Sequence, residues 1–138
     1  MRVVLDTNVL ISALITSGTP PDALYRAWLR GEFDLVTSAA QIAEIADVAS
    51  RPRLEKFIDA DEVADILDNI GLRAIVLDDP PEVNLSPDPG DNPILAAATA
   101  GNADLIVSGD KKHMLALAEI EGIPIVTARE ALARLGSA

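Results

Sequence analysis

From one end to the other the chain alternates short β-rich runs with longer segments of helical spacing. That alternation restricts it to a parallel α/β sheet with helices on both faces. The runs "RVVL" at 2–5, "DLVTS" at 34–38, "AIVL" at 74–77, "DLIVS" at 104–108 and "PIVT" at 124–127 read as strands. Between the first two, Leu24, Ala27 and Trp28 share a helical face. Ser38 and Gln41 have the spacing of a capping box, opening a helix through about Ala49 that Arg51-Pro52 stops. Val63, Ile66, Leu67 and Ile70 form one face of another helix, with Gly71 as a suitable stop. Asn92-Pro93 reads as an N-cap followed by Pro at the first helical position, for a helix to Ala100 ended by Gly101. Gly109-Asp110 turns into a helix predicted to run to about Glu121, and Thr127 with Glu130 gives a second capping box. The longest loop, 78–93, is rich in Pro and Asp. With no internal repeat and no low-complexity tract, residues 1–138 are expected to form a single domain.

Composition narrows the chemistry. Apolar residues make up 49% of the chain and aromatics 3%, so the core must be built from Leu, Ile, Val and Ala. The lack of cysteine excludes disulfides and thiolate zinc sites, and fits a reducing compartment. One histidine, His113, cannot make a multi-histidine metal site within one chain. The first apolar run is too short for a signal peptide and Asp6 breaks it. No run is long enough to span a bilayer, so a soluble, cytoplasmic protein away from the membrane is expected. A net charge of −11 opposes nucleic-acid binding in general. Local basic groups or bound divalent cations can reverse that sign at one site, and the surplus predicts attraction to a basic partner.

In open α/β sheets, ligands bind outside the carboxyl ends of the strands. Asp6 follows the first strand, Asp110 follows the strand at 104–108, and Asp91 precedes the helix at Pro93, so all three can share one sheet edge. Glu44 lies inside the helix after the second strand, between Ala43 and Ile45. Each aspartate also has a plainer account as a helix N-cap, Asp88 reads as a turn residue, and Thr7 or Asn8 can cap a helix beginning at Val9. If the fold gathers Asp6, Glu44, Asp91 and Asp110, their repulsion demands neutralisation by basic side chains or by a hard cation such as Mg²⁺. Asp6 is then a metal ligand, with Thr7 and Asn8 hydrogen-bonding to fix neighbouring carboxylates.

Together, "VVLDTNVLISAL", "SAAQIAEIADVASRPRLEKF", "DPGDNPILAAATAGNADLIVSGDKKHM" and "GIPIVTAREAL" resemble a PIN-domain ribonuclease, closest in flavour to the VapC-like toxins of toxin–antitoxin systems. The resemblance spans nearly the whole chain in order. It implies a PIN-like fold, a parallel sheet of about five strands flanked by helices, with an acidic cluster at one edge. Matched position by position, the family's acids fall on Asp6, Glu44, Asp91 and Asp110, as catalytic and metal-holding residues. Asn8 matches the polar residue supporting the first acid, Ser108 the hydroxyl of the Ser/Thr-Gly-Asp turn, and Asp88 an extra acid of the subgroup. The segment around Glu44 is richer in alanine than the family pattern, and "KKHM" after Asp110 is more basic.

The implied activity is Mg²⁺- or Mn²⁺-dependent hydrolysis of RNA by one or two ions, leaving a 5′-phosphate and a 3′-hydroxyl. A homodimer and an antitoxin with a basic segment are implied partners. Arg51, Arg53, Lys56, Lys111 and Lys112 are candidate contacts to the RNA backbone, or simply solubilising charges. Tyr25 and Trp28 fit packing better than base stacking, and His113 reads as a helix-surface residue. Two competing readings are a degenerate PIN domain that binds RNA or protein without cutting, and another Mg²⁺-dependent α/β phosphohydrolase. A haloacid-dehalogenase-type site wants a second aspartate two residues after its nucleophile, where this chain has Asn8.

Overall fold

A computed structural model describes residues 1–136. The strands are β1 (Arg2–Leu5), β2 (Asp34–Ser38), β3 (Ile75–Leu77), β4 (Leu105–Val107), β5 (Glu119–Ile120) and β6 (Ile123–Val126). The helices are α1 (Thr7–Ile15), α2 (Pro20–Leu29), α3 (Ala39–Ala49), α4 (Ala60–Arg73), α5 (Asn92–Ala100), α6 (Met114–Leu117) and α7 (Ala128–Gly136), with 3₁₀ turns at Pro52–Leu54 and Pro89–Asp91. The sheet order is β3-β2-β1-β4-β6-β5, and every pairing is parallel except β5 with β6.

Strand addition runs outward from β1 through β2 to β3, then jumps back across to β4. The helices change faces at that jump. Side chains from α1, α2, α3 and α4 pack with Val3, Leu5, Leu35, Leu105 and Val107 on one face. Those from α5 and α6 pack with Val4, Val36, Ile106 and Ile125 on the other. Right-handed crossovers demand this switch when the direction of strand addition reverses. The reversal makes β1 the topological switch point, and the crevice beyond its carboxyl end is where such a fold holds ligands. Both cores are aliphatic, as the scarcity of aromatics requires. Trp28 is buried in the first and stacks at a tilt on half-buried Tyr25, with ring centroids 5.8 Å apart, so the packing expectation for both holds.

Four local expectations are corrected. The region after Asp110 does not form one long helix to Glu121. It makes only α6, then Ala118 at φ 64° breaks the helix and β5 turns back onto β6 through Glu121 and Gly122, both at positive φ. The expected parallel strands are therefore joined by a sixth, antiparallel one. Gly71 does not end α4, which continues to Arg73 because an exposed glycine costs a helix only about 1 kcal/mol. Asn92 is the first residue of α5 and not its N-cap. Its side-chain oxygen accepts from the Leu85 and Ser86 N–H groups at 3.0 and 3.1 Å, folding the long loop back onto the helix start. The Ser38–Gln41 box is half formed: Ser38 Oγ accepts from Gln41 N at 3.2 Å, but the Gln41 side chain points into the protein. Gly101 ends α5 as expected, and the space there admits only glycine. A Cβ there would sit 2.5 Å from Val36 Cγ1 and 2.8 Å from the Ala97 carbonyl oxygen. Among the described residues, no helix is long and apolar enough to cross a membrane.

Candidate metal centre

β1 ends at the switch point and delivers Asp6 there. The Asp6 N–H donates to the Val107 carbonyl at 2.8 Å, continuing the β1–β4 ladder by one bond. Asp6 occupies the N-cap position of α1, yet its carboxylate caps nothing. It accepts from Ser108 Oγ at 2.8 Å and is only 8% exposed. Ser108 is fully buried, and its hydroxyl also accepts from the Asp110 N–H at 3.0 Å. One serine thus ties the first acid to the turn carrying the last.

The other acids arrive from separate elements. Asp91 ends the 3₁₀ turn before α5 and accepts from Ser86 Oγ at 3.0 Å. Asp88 serves its turn by accepting from Gly90 N at 3.0 Å, as a turn residue should. Its other oxygen lies 3.9 Å from His113 Nδ1. Asp110 divides its roles in the same way. One oxygen accepts from the Lys112 and His113 N–H groups at 3.1 and 3.2 Å, the plain capping role, while the other lies 3.5 Å from His113 Nδ1. Glu44 sits exposed on α3, near enough to raise the pKa of Asp6.

The electrostatics report the crowding. Burial pushes Asp6 above the usual carboxylate range, and the charges of Asp91 and Glu44 add to it. The Ser108 hydroxyl and the Thr7 backbone N–H oppose the rise without cancelling it. Asp91 is raised too, chiefly by burial, then by Asp88 and Asp110, against the Ser86 hydroxyl and His113. Asp110 goes the other way. Burial would raise it, but the backbone N–H groups of His113 and Lys112 and the His113 ring together hold it below its ordinary value.

Two means of neutralisation were open, and one basic side chain, His113, already stands against Asp88 and Asp110. Among the described residues no Lys or Arg pairs with Asp6, Glu44, Asp91 or Asp110; the ion pairs of Arg26, Arg30 and Arg51 are made with Asp22, Glu32 and Asp47. The donor set suits a divalent cation instead. Ligand atoms of Asp88, Asp91 and His113 lie within 4.8 Å of one another, and the Asp91 charge also reaches Asp6. Carboxylate oxygens with one imidazole are a donor set that could hold a divalent cation.

Several sequence expectations change here. Thr7 fixes no carboxylate through its side chain. It is 2% exposed and its hydroxyl has no hydrogen-bond partner among the described residues, because the helix begins at Thr7 itself and turns the side chain inward. Asn8 is exposed beside Ser108, Gly109 and Asp110 on the wall of a pocket of about 380 Å³, and its side chain bonds to no acid among the described residues. His113 is no plain helix-surface residue; it precedes α6 and stands between Asp88 and Asp110. Its position three residues after Asp110 was the available signal. Gln41 and Ser86 were missed as parts of the site, since nothing in their local sequence says which carbonyl or carboxylate they meet. The basic candidates fall into two groups. Lys111 and Lys112 are exposed beside Asp110. Arg51, Arg53 and Lys56 lie beyond the far end of α3, roughly 10 Å or more of helix from Glu44.

A family model described as "PIN domain" matches residues 2–112. The crystal structure of PAE2754 from Pyrobaculum aerophilum is similar in fold, with a TM-score of 0.63 at 16% identity, covering 100% of this chain and 91% of that one. No curated protein matches by sequence.

Proposed function

Given that the chain belongs to the PIN-domain family, whose members are in general metal-dependent nucleases, we propose that it is a metal-dependent endoribonuclease and the toxin of a type II toxin–antitoxin pair. The observation that carries the nuclease reading is the Asp6–Ser108–Asp110 link at the switch point. Around it lie further carboxylates, with pKa values of Asp6 and Asp91 raised and, among the described residues, no Lys or Arg paired with either, His113 being the one basic group acting on Asp91. Such a pocket is costly unless a cation fills it.

Asp88, Asp91 and His113, whose ligand atoms converge, would hold the ion, with Asp6, Glu44 and Asp110 as the further carboxylates around it. A bound Mg²⁺ or Mn²⁺ supplies Lewis acidity and a more acidic water. The protein's own part is placement. Ser108 Oγ donates to one carboxylate oxygen of Asp6, and Ser86 Oγ to one of Asp91, so each acid is held by a hydroxyl. RNA approaches past Lys111 and Lys112, the two cations nearest the acids along the chain, while Arg51, Arg53 and Lys56 offer a more distant contact. The toxin role draws support from the net charge of −11 and the clustered acids, which suit a basic antitoxin segment. The absence of cysteine fits work in the cytoplasm. A homodimer follows from the family resemblance alone.

The test is incubation of purified protein with total RNA, with Mn²⁺ or with EDTA, mapping the cut ends. Cleavage that EDTA abolishes, that leaves 5′-phosphates and that Asp91→Asn lacks supports the reading. Folded protein that cuts nothing in Mn²⁺ reduces it to a binding module.

A further inference from the structure

We propose that Gln41 is a positioning residue, locking the strand end that bears Asp6 to the helix that bears Glu44; this rests on the metal-dependent reading above. Gln41 is 1% exposed, and a buried amide is costly unless both of its ends are satisfied. Here they are. Its Nε2 donates to the Leu5 carbonyl at 2.6 Å, and its Oε1 accepts from the Thr37 hydroxyl. Its backbone N–H goes to Ser38 Oγ, so helix capping accounts for the main chain and leaves the side chain free for the longer-range role.

The Leu5 carbonyl and the Asp6 N–H belong to one peptide plane. Val107 holds the N–H side from β4, and Gln41 holds the carbonyl side from α3. The need for a side chain there follows from the sheet. The β1–β4 register continues through Leu5, but the β1–β2 register stops at Val3–Leu35. Where the strands part, the Leu5 carbonyl has lost its ladder partner, and the Gln41 amide replaces it. The plane before Asp6 is thereby fixed from both sides, which sets the direction its side chain leaves the strand.

The same residue governs Glu44. Gln41, Ile45 and Ala49 form the buried stripe of α3, and Glu44 lies three residues after Gln41, adjacent to it on the helix surface. Anchoring Gln41 to Leu5 therefore fixes α3 against β1 within one turn of Glu44. Two neighbouring carboxylates repel and drift apart unless their backbones are held. Sites of this kind tolerate ligand displacements of only about 0.5 Å. A leucine or methionine would fill the volume but leave the Leu5 carbonyl and the Thr37 hydroxyl unpaired.

The experiment compares full-length wild type, Gln41→Met, and Ile70→Val as a control buried in α4 away from the acids. Three readouts are taken: Mn²⁺ affinity by calorimetry, kcat and KM for RNA cleavage, and amide hydrogen exchange at Asp6 in metal-free protein. Gln41→Met is expected to weaken Mn²⁺ binding about tenfold, to lower kcat with little change in KM, and to speed exchange at Asp6. Ile70→Val should move the melting temperature alone. If Gln41→Met does not fold, Thr37→Val, which unties only the acceptor side, should shift all three readouts the same way by less. Wild-type Mn²⁺ affinity and kcat in a folded Gln41 variant, or equal losses in Ile70→Val, overturn the proposal. Should wild type itself bind no Mn²⁺, the metal-dependent reading fails separately. Asp6 exchange then decides the proposal alone, and an unchanged rate in Gln41→Met overturns it.

Discussion

Replacing Asp6 by asparagine should make the metal-free protein more stable and the metal-loaded protein less stable than wild type. Asp6 is 8% exposed, and burial outweighs the Ser108 and Thr7 hydrogen bonds, leaving its pKa raised. A carboxyl with a raised folded-state pKa binds its proton more tightly in the native state than in the unfolded chain. The stability it contributes is full below the unfolded value of about 3.8 and is lost as pH rises through the folded pKa. At neutral pH the ionised group is therefore a net cost. Asparagine has nearly the same shape, still accepts from Ser108, and carries no charge in either state. Weakening the charge-assisted bond loses ~1 kcal/mol, but that loss is already inside the balance that leaves the pKa raised. The expected gain is about 0.5–2 kcal/mol, and roughly 3–5 °C in Tm for each kcal/mol in a chain this long. Mn²⁺ at ~100 Kd should add about 2.7 kcal/mol to wild type and much less to the variant, so the order of stabilities reverses. Urea unfolding followed by circular dichroism, in EDTA and in Mn²⁺, reads both. Lowering the pH toward the carboxylate range should close the gap in EDTA as wild-type Asp6 takes up its proton. A variant less stable than wild type in EDTA, equal stabilisation of both proteins by Mn²⁺, or a gap that widens in acid would each refute the reasoning.

Three further outcomes are expected. Ser108→Ala removes the hydroxyl shared by Asp6 and the Asp110 N–H, and calorimetry should show Mn²⁺ affinity reduced ~10–100-fold with the fold retained. Gly101→Ala drives a Cβ to 2.5 Å from Val36 Cγ1, so chemical denaturation should show a loss of about 1–3 kcal/mol with Mn²⁺ affinity intact. Lys111→Ala with Lys112→Ala should weaken single-stranded RNA binding in fluorescence anisotropy and flatten its salt dependence by a log–log slope of ~0.7 per lost phosphate contact. An unchanged slope assigns both lysines to solubility.

What could be read in the sequence was what local chemistry dictates. The strand runs, the start of α3 at Ser38 and the stop at Gly101 rest on patterns within a few residues, and each stands in the structure. So does the placement of Asp6 and Asp110 on one sheet edge, because strand ends in a parallel sheet share an edge by construction. The misses share a cause. Asn92 has the local signature of an N-cap, yet it spends its oxygen on a loop seven residues back. Gln41 has the signature of a capping box, yet its side chain crosses to a carbonyl 36 residues away. The segment after Asp110 has ordinary helical residues, but β6 offers Ile120 an antiparallel partner, and pairing there ends α6 after Leu117. In each case a tertiary partner outbid a local preference worth ~1 kcal/mol.

The acids come from elements that are far apart in the chain, and this ties cation binding to folding. Asp6 follows β1, Glu44 rides α3, Asp91 precedes α5, and Asp110 and His113 follow β4. A calcium-type loop keeps its ligands together over a dozen residues and can order itself locally. Here the spacing of the acids is set by the packing of β1 between β2 and β4 and by two helix layers, with Val4 and Leu5 almost completely buried just before Asp6. The repulsion among the carboxylates therefore acts against the tertiary fold as a whole. It is opposed by the aliphatic cores on both faces of the sheet, and by the hydroxyl and amide groups that hold each acid in place. Since the unfolded chain scatters these ligands, a cation that binds them must favour the native state, and substitutions that loosen the β1–α3 junction should lose metal affinity before they lose the fold.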